Sequence, residues 1–502
     1  MRLFWAVTLS MLSGFVALSY EILWVRAYSY VSWGVASAFG LLLGSYLAGL
    51  ALGALVARRY CKKSGEAGRE SLTWLAFYFL AANLVGYVLL PLLAEMVRYA
   101  PYVVMLPVFG LAAALLGTGF PLISHFGIAA DDHAGRRLSY LYAGNILGSA
   151  AGSMLTGFVL MDAWSLREIS VFLALVGLGL SAGIVLLSGR RRPGVFLLIG
   201  TSAAVVVLAA PNLFSGLYEK WQLKDDYESG FRFQHVIETK SGVICVDHRG
   251  TVYGSGVYDG RFNVDPVNDV NGIVRAYALA AVHAEPRDVL VVGLGSGSWA
   301  QVAVHHPATE RMTVVEINPG YLELMRHSPV VASLLQNDKI EFVIDDGRRW
   351  LQRTDRKFDA MIQNTTYHFR AHSTNLLSRE YLELCREHLK PGGVLIYNTT
   401  WSDMAQKTGA EVFASAWRLR NCMYVGDGTL ELDILRWKEV LASYRIDGRP
   451  VADAASARRI VEECRWEDRP SILRRTAGLP TITDDNMASE WRADRAGAGH
   501  TK

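Results

Sequence analysis

The 502-residue chain has few cysteines, almost no net charge and, over its first two hundred residues, few charged side chains of either sign. The five cysteines, Cys61, Cys245, Cys385, Cys422 and Cys464, are odd in number, widely scattered and form no Cys-x-x-Cys pair. Neither a disulfide framework nor a zinc site is expected from them, and no metal is expected elsewhere. A net charge of +3, from 50 Lys and Arg against 47 Asp and Glu, lacks the basic excess of a nucleic-acid binder. Asp, Glu, Lys and Arg are absent from Leu3–Tyr20, Ala27–Ala57, Ser71–Ala94, Tyr99–Ala130, Leu138–Met161, Ile169–Gly189 and Gly194–Tyr218.

Each of those blocks can supply the roughly 20 residues that a helix needs to cross hydrocarbon, so seven membrane spans are expected. The first block runs on into Glu21 and Arg26 with no clear cleavage site, which reads as an anchor rather than a signal peptide. Gly144, Gly148 and Gly152 recur every four residues, and so do Gly40 and Gly44. Both rows are expected to be faces where helix backbones approach closely, with a pore or substrate path as the alternative. Glu21 is expected either to function within the membrane or to pair with Arg26, and Asn145 is a strong hydrogen-bonding group in the fifth block. The last block, with Pro211 near its end, can also be read as re-entrant.

The second half reads as a soluble α/β unit. Short strands and turns occupy 229–262, in FQHVIET, GVICVD and TVYGSG, and suggest a small antiparallel sheet. A helix is expected over 270–283. Strands and helices then alternate: VLVVG, a helix from 299, MTVVEI, a helix over 319–335, KIEFVID, a short helix over 346–353, FDAMIQN, a helix over 378–389, a turn at Pro391-Gly392-Gly393, and VLIYNT. The expected boundaries are 1–218 for the membrane domain, 219–285 for the small β subdomain and linking helix, 286–470 for the Rossmann-like domain and 471–502 for a C-terminal tail.

The stretch VLVVGLGSGS at 289–298 carries the most chemistry. A buried strand runs into Gly293, Gly295 and Gly297, where a ligand can lie on bare backbone at the mouth of the sheet. Glu316, at the end of the next strand, can accept two hydrogen bonds from a ribose diol. Asp345 can accept from an adenine amino group, and Asp346 either shares that cleft or caps the following helix. No phosphate-directed basic residue follows the loop, so a single nucleoside is favoured over NAD.

Residues 286–396, through VLVVGLGSG, VVEINP, IDDGRRWL, FDAMIQN and LLSREYLELCREHLKPGGVL, with the earlier FQH of 233–235, resemble the spermidine synthase family. More broadly they resemble the class I S-adenosylmethionine-dependent transferases. SGFVALSYEILWVR, GRRLSYLYAGNILGSAAG and TDDNMASEW resemble a bacterial subgroup in which that domain follows membrane helices. The resemblance implies a multi-span α-helical membrane domain, then a Rossmann-like, class I methyltransferase-type domain with a small N-terminal β subdomain. It implies decarboxylated S-adenosylmethionine as the group donor, a diamine as acceptor and no metal. Glu316 would be the ribose-binding acid, Asp345 the adenine-binding acid, Gly293, Gly295 and Gly297 the cofactor loop, and Gln234 the glutamine near the sulfonium.

The departures are chemical. Asn364 stands where the resemblance implies a catalytic aspartate, Ser296 replaces an acid in the glycine loop, and Asn271, Gly272 and Ile273 replace Tyr-His-Glu. An amide is a negligible base for a diamine, so ordinary spermidine synthesis is not expected, and intact S-adenosylmethionine becomes a better candidate. Asn364, Tyr367 and His368 are the candidate catalytic residues, from the polar segment NTTYHFRAHSTN that also holds Arg370 and His372. Tyr258, Asp259 and Asp269, and Asp484 and Asp485, are further polar groups that either reach the cleft or shape turns and caps.

The leading expectation is a membrane-bound transferase that moves an aminopropyl or related alkyl group from S-adenosylmethionine or its decarboxylated form to a small amine or lipid-linked acceptor. A methyltransferase, a transporter with a nucleoside-sensing domain and a catalytically silent scaffold are the alternatives. The expected partners are the lipid bilayer, that acceptor and a second copy of the chain, with no nucleic acid. Positive clusters follow the second span (Arg58, Arg59, Lys62, Lys63), the fourth (Arg136, Arg137) and the sixth (Arg190, Arg191, Arg192). With seven spans, the positive-inside rule would put everything after Tyr218 outside the cell. The cytosolic supply of the cofactor argues instead for a cytoplasmic soluble half at a bacterial inner membrane.

Overall fold

The computed structural model describes residues 3–61, 70–189, 192–364 and 367–491. Lys62, Lys63, Arg190 and Arg191 of the positive clusters, Thr365 and Thr366 of the polar segment, and the end of the expected tail lie outside the described residues. The chain divides into two compact units: Met1–Trp33 and Ser37–Arg232 with Glu238–Lys240, and Gly34–Ala36 with Phe233–Ile237 and Ser241–Lys502.

Among the described residues, the first unit has seven helices long and apolar enough to cross a membrane. They are Leu3–Val31, Ser37–Cys61, Leu72–Met96, Tyr102–Gly127, Ala134–Ala163, Leu166–Leu187 and Pro193–Leu213. The first continues through Glu21 and Arg26, so Glu21 stands inside the helix and is buried. No ion pair joins Glu21 to Arg26 among the described residues. The seventh is a continuous 21-residue helix with Pro211 inside it. The sixth begins with a capping box, in which Ser165 and Glu168 satisfy each other's backbone N–H groups.

The glycine rows behave differently from each other. A Cβ on Gly144, Gly148 or Gly152 would meet Val7 at 2.9 Å, the Met11 carbonyl oxygen at 1.8 Å and the Phe15 carbonyl oxygen at 2.3 Å. The fifth helix therefore lies backbone to backbone on the first, one glycine per turn. Asn145 closes the same seam by donating to the Ser10 carbonyl oxygen at 3.0 Å, which is a structural use of its amide. Gly40 and Gly44, expected to do likewise, have nothing within 4 Å of an added Cβ. The second helix instead packs through Gly49 and Gly53, whose added Cβ atoms would meet the carbonyl oxygens of Gly110 and Ala114 at 2.2 and 2.1 Å. Glycine spacing alone does not say which side of a helix meets a neighbour.

The second unit begins with a four-stranded sheet, β1 (His235–Thr239), β2 (Gly242–Val246), β3 (Thr251–Gly254) and β4 (Val257–Arg261), in that order. The expected helix over 270–283 is two short ones, Val274–Tyr277 and Leu279–Val282. The main sheet contains β5 (Asp288–Val292), β6 (Arg311–Glu316), β7 (Ile340–Ile344), β8 (Phe358–Gln363), β9 (Leu389–Asn398), β10 (Ser415–Leu419) and β11 (Cys422–Gly426). A small ladder of β12 (Arg445–Ile446) and β13 (Arg449–Pro450) precedes β14 (Trp466–Asp468), which pairs with β10 at the edge of the main sheet. The sheet order is β14-β10-β11-β9-β8-β5-β6-β7, with β5 to β9 parallel and β11, β10 and β14 joined antiparallel.

The unbroken apolar run of β5 follows from burial on both faces. Val289 and Val291 point into one core with Trp299, Leu324 and Trp437, while Leu290 and Val292 point into the other with Tyr381, Leu382 and Met404. Pro391-Gly392-Gly393, expected as a turn, lies inside β9. Phe358 pairs with Leu389 and Ala360 with Val394, so the segment between bulges out opposite Asp359. The segment expected as a tail is packed as far as the described residues go: Ile472, Ile482 and Ala488 belong to the second core.

Gly148→Ala should lower the unfolding free energy of the detergent-solubilised protein by about 1–3 kcal/mol through overpacking. Gly44→Ala should leave it unchanged or slightly raised. Thermal unfolding of the two variants checks this, and equal melting temperatures would contradict the packing of the first and fifth helices.

Candidate active site

The strand order reverses between β5 and β8: β5 is followed outward by β6 and β7, and β8 by β9 on the other side. At such a reversal the connections leave in opposite directions and open a crevice at the carboxyl ends of the strands. The glycine loop leaves β5 there. Gly293, Gly295 and Gly297 have φ of +84°, +52° and +74°, a region other residues enter only at a cost. Their added Cβ atoms would meet the Asn364 carbonyl oxygen at 2.8 Å, the Asp259 carbonyl oxygen at 2.8 Å and the Met325 sulfur at 2.3 Å. Bare backbone is thus required on both counts.

Glu316 ends β6 and is 5% exposed. Its Oε2 accepts the Leu294 N–H at 2.7 Å and its Oε1 the Asn318 N–H at 2.8 Å, which ties the glycine loop to the turn after β6. Each oxygen retains lone-pair capacity for a further donor. Burial pushes this carboxyl up to about 7, against the pull of those N–H bonds and with Asp259 adding to the rise. Asp259 is itself pushed up to about 6 by burial, although Tyr321 donates to it and Arg370 faces it.

Asp345 follows β7. Its Oδ1 accepts the Asp346 N–H at 2.7 Å and is ion-paired with Arg349. Desolvation works to raise this carboxyl, but Arg349 and the N–H bond hold it below its ordinary range. Asp346 caps the helix Gly347–Leu351 by accepting the Arg349 N–H at 2.8 Å. Gln234 is exposed just before β1, where its N–H donates to the Val246 carbonyl oxygen at 2.8 Å.

Beside the glycine loop lies a cavity of about 170 Å³, whose walls include Tyr258, Asp259, Ser296, Asn364, Tyr367 and Trp401. Of the three candidate catalytic residues, Asn364 and Tyr367 line it. His368 does not: it is 2% exposed, and both its backbone N–H and its Nδ1 contact Thr400 Oγ1, at 3.0 and 2.8 Å. Thr400 and Trp401, in the wall, have φ of +46° and +70°. Two adjacent non-glycine residues in this region mark strain held by the surrounding structure.

Sequence reasoning missed six residues of this wall, Arg275, Trp299, Asn398, Thr400, Trp401 and Asn421. One signal was present. Asn364-Thr365-Thr366 and Asn398-Thr399-Thr400 are the same tripeptide, and each begins where a strand ends. Gln363 pairs with Tyr397, so the two asparagines come side by side at the ends of β8 and β9. Asn398 Nδ2 donates to Asn364 Oδ1 at 3.2 Å. Asn271 also lines the cavity, and Gly272, at φ +68°, gives its carbonyl oxygen to Arg275.

Most of the remaining polar candidates are occupied structurally. Asp269 accepts the Ile273 N–H at 2.6 Å and pairs with Arg420 at 2.8 Å. Asp484 pairs with Arg348 through both guanidinium nitrogens, at 2.8 and 2.6 Å. His372 is exposed and its N–H donates to Glu490 at 2.9 Å. Asp485 is exposed.

Residues 277–414 match the Spermine/spermidine synthase domain. The polyamine aminopropyltransferase of Agathobacter rectalis is 30% identical over 118 residues, 23% of this chain and 41% of that protein. That of Mycobacterium tuberculosis (strain CDC 1551 / Oshkosh) is 27% identical over 305 residues, 57% of this chain and 56% of that protein. The chain thus spans about half the length of the curated relatives it matches. A solved spermidine synthase in complex with the transition state analogue AdoDATO covers 50% of this chain and 89% of its own, at 16% identity and a TM-score of 0.40. Human methyltransferase-like protein 13 in complex with SAH covers 38% of this chain and 92% of its own, at 18% identity and a TM-score of 0.28. The α/β unit is spermidine synthase-like.

The buried acids make stability depend on pH with a definite sign. Glu316 and Asp259 ionise at about 7 and 6 in the folded unit, against ordinary values of 4.5 and 3.8. Their raised values contribute stability that is complete below the unfolded values and is lost as pH rises through the folded ones. Glu316→Gln should therefore show a shallower loss of thermal stability between pH 5 and 8 than the parent chain, whatever its constant offset. The difference in unfolding free energy across that window is on the order of 2 kcal/mol. Parallel pH profiles for the two proteins would contradict the burial of an ionisable Glu316.

Proposed function

We propose that the α/β unit is the catalytic part of a membrane-associated, spermidine synthase-like transferase. It takes S-adenosylmethionine or its decarboxylated form as group donor and moves an aminopropyl or related alkyl group to an acceptor. The observation that carries this reading is Glu316, a buried carboxylate that ties the glycine loop to the turn after β6, one oxygen on each. Such a carboxylate suits a ribose diol, which offers two O–H donors at fixed spacing. Asp345 stands one strand further out, where an adenine amino group would reach it, and Gly293, Gly295 and Gly297 are the proposed cofactor loop. Gln234 is the residue proposed for the sulfonium side. The match to the Spermine/spermidine synthase domain supports the same reading.

The reaction is a displacement. A nucleophile on the acceptor attacks the carbon beside the sulfonium, the carbon–sulfur bond breaks, and a neutral thioether leaves with the bonding pair. The acceptor then gives up a proton. Asn364 is not a base for that proton. Asp259, which lines the cavity and ionises at about 6, is the carboxylate placed to take it, and Tyr367 is the neighbouring hydroxyl. Because the sulfonium is already a good leaving group, holding acceptor and carbon in line supplies much of the rate. The amide at Asn364 also favours a second reading, methyl transfer from intact S-adenosylmethionine, which asks for no cationic acceptor.

The seven apolar helices support attachment to a membrane, and the cytosolic origin of the sulfonium substrate supports a cytoplasmic α/β unit. A cysteine introduced at the exposed His248 should be blocked by a membrane-impermeant thiol reagent only after cells are opened. Blocking in intact cells would place the unit outside.

Calorimetry of the detergent-solubilised chain with methylthioadenosine tests the site. Binding is expected, and Glu316→Ala should weaken it by about 1.5–3 kcal/mol, the range for a hydrogen bond to a charged group. No binding by the folded protein, or equal binding by the variant, would overturn the nucleoside reading.

A further inference from the structure

We propose that the cavity beside the glycine loop receives a carboxylate, because a relay of three side-chain amides anchored on Arg275 fixes Asn364 as a hydrogen-bond donor. This deepens the functional reading above and rests on it for the neighbouring nucleoside.

The relay starts from a group that can only donate. Arg275 is 8% exposed and lies over the Trp299 ring at 5.2 Å. Its Nε donates to the Gly272 carbonyl oxygen at 2.7 Å, its Nη2 to that of Asn271 at 2.8 Å, and its Nη1 to Asn421 Oδ1. A guanidinium has no acceptor, so Asn421 must turn its oxygen towards it. That leaves the Asn421 amide nitrogen to donate to Asn398 Oδ1, at 2.9 Å. The backbone N–H of Thr400 donates to the same oxygen, also at 2.9 Å, and fixes the orientation of Asn398 independently. Asn398 is left with its amide nitrogen towards Asn364 Oδ1, at 3.2 Å.

Asn364 therefore shows its own amide nitrogen to the glycine loop, 3.7 Å from where a Cβ on Gly295 would stand. Flipping any one of the three amides would set donor against donor, so Arg275 and Thr400 impose the polarity of the whole row. An ammonium group placed there would meet an N–H donor backed by a guanidinium. A carboxylate would meet a donor polarised by one. Asp259, the only carboxylate among the lining residues, accepts from Tyr321 and is faced by Arg370.

The carboxylate can belong to the amino-acid tail of an intact S-adenosyl substrate or to the acceptor. Three thioethers that share one nucleoside separate the questions by calorimetry on the full chain: methylthioadenosine, S-adenosylhomocysteine and decarboxylated S-adenosylhomocysteine. If methylthioadenosine does not bind, the nucleoside reading fails first, and this proposal with it. If it binds, a preference of roughly tenfold or more for S-adenosylhomocysteine over the decarboxylated compound assigns the carboxylate to the group donor. If those two bind equally, succinate should bind the methylthioadenosine-saturated protein and putrescine should not, which assigns it to the acceptor. Tighter binding of the decarboxylated compound, or of putrescine than succinate, overturns the proposal, and so does the absence of both preferences. Asn364→Asp should abolish or invert whichever preference the parent shows. The parent's own preference decides the matter if that variant does not fold.

Discussion

A carboxylate buried without an ion pair has to be held by backbone N–H groups, and the α/β unit is arranged around one that is. Glu316 reaches Leu294 in the glycine loop and Asn318 in the turn after its own strand. It makes no ion pair among the described residues. These contacts hold the loop, and its glycines have positive φ where the backbone passes close to Asn364 and Asp259. The cost is a carboxyl whose ionisation is pushed to about 7. A ligand that donates to both oxygens would favour the charged form and relieve that cost.

The same logic of donors and acceptors runs through the neighbouring cavity. Arg275 has no acceptor, Thr400 N–H has none, and between them the three amides have one consistent arrangement. The polarity at Asn364 is thus set from the far end of a chain of contacts that begins more than eighty residues earlier in sequence. Strain at Thr400 and Trp401 belongs to the same wall, where β9 ends and the chain must turn to place the Thr400 N–H against Asn398.

Much of the fold was legible because single segments carried their own evidence. Seven uncharged runs correspond to seven helices, and the strands from β5 to β9 announced themselves as largely apolar runs. The glycine loop and the acid after β6 stood at fixed spacing within one such unit. What was not legible depended on neighbours. Gly40 and Gly44 have the spacing of a packing face, yet Gly49 and Gly53 do the packing, because the orientation of a helix is set by what lies beside it. Pro391-Gly392-Gly393 has the composition of a turn and is a bulge within β9, because β8 continues alongside it. Arg275, Asn398 and Asn421 come from three separated segments and no local pattern marks them as a group. His368 shares a polar segment with Asn364, yet burial behind Thr400 removes it from the cavity wall.

On the proposed reading Glu316 ionises to receive a nucleoside's hydroxyl groups, and proton release on binding measures that most directly. Calorimetry of methylthioadenosine binding near pH 6.5, repeated in buffers of different ionisation enthalpy, gives the number of protons exchanged. Net release is expected from the parent chain, on the order of half a proton or more for a group that ionises near neutrality without the nucleoside, and none attributable to position 316 in Glu316→Gln. Binding with no proton release, or with the same release by both proteins, would contradict it.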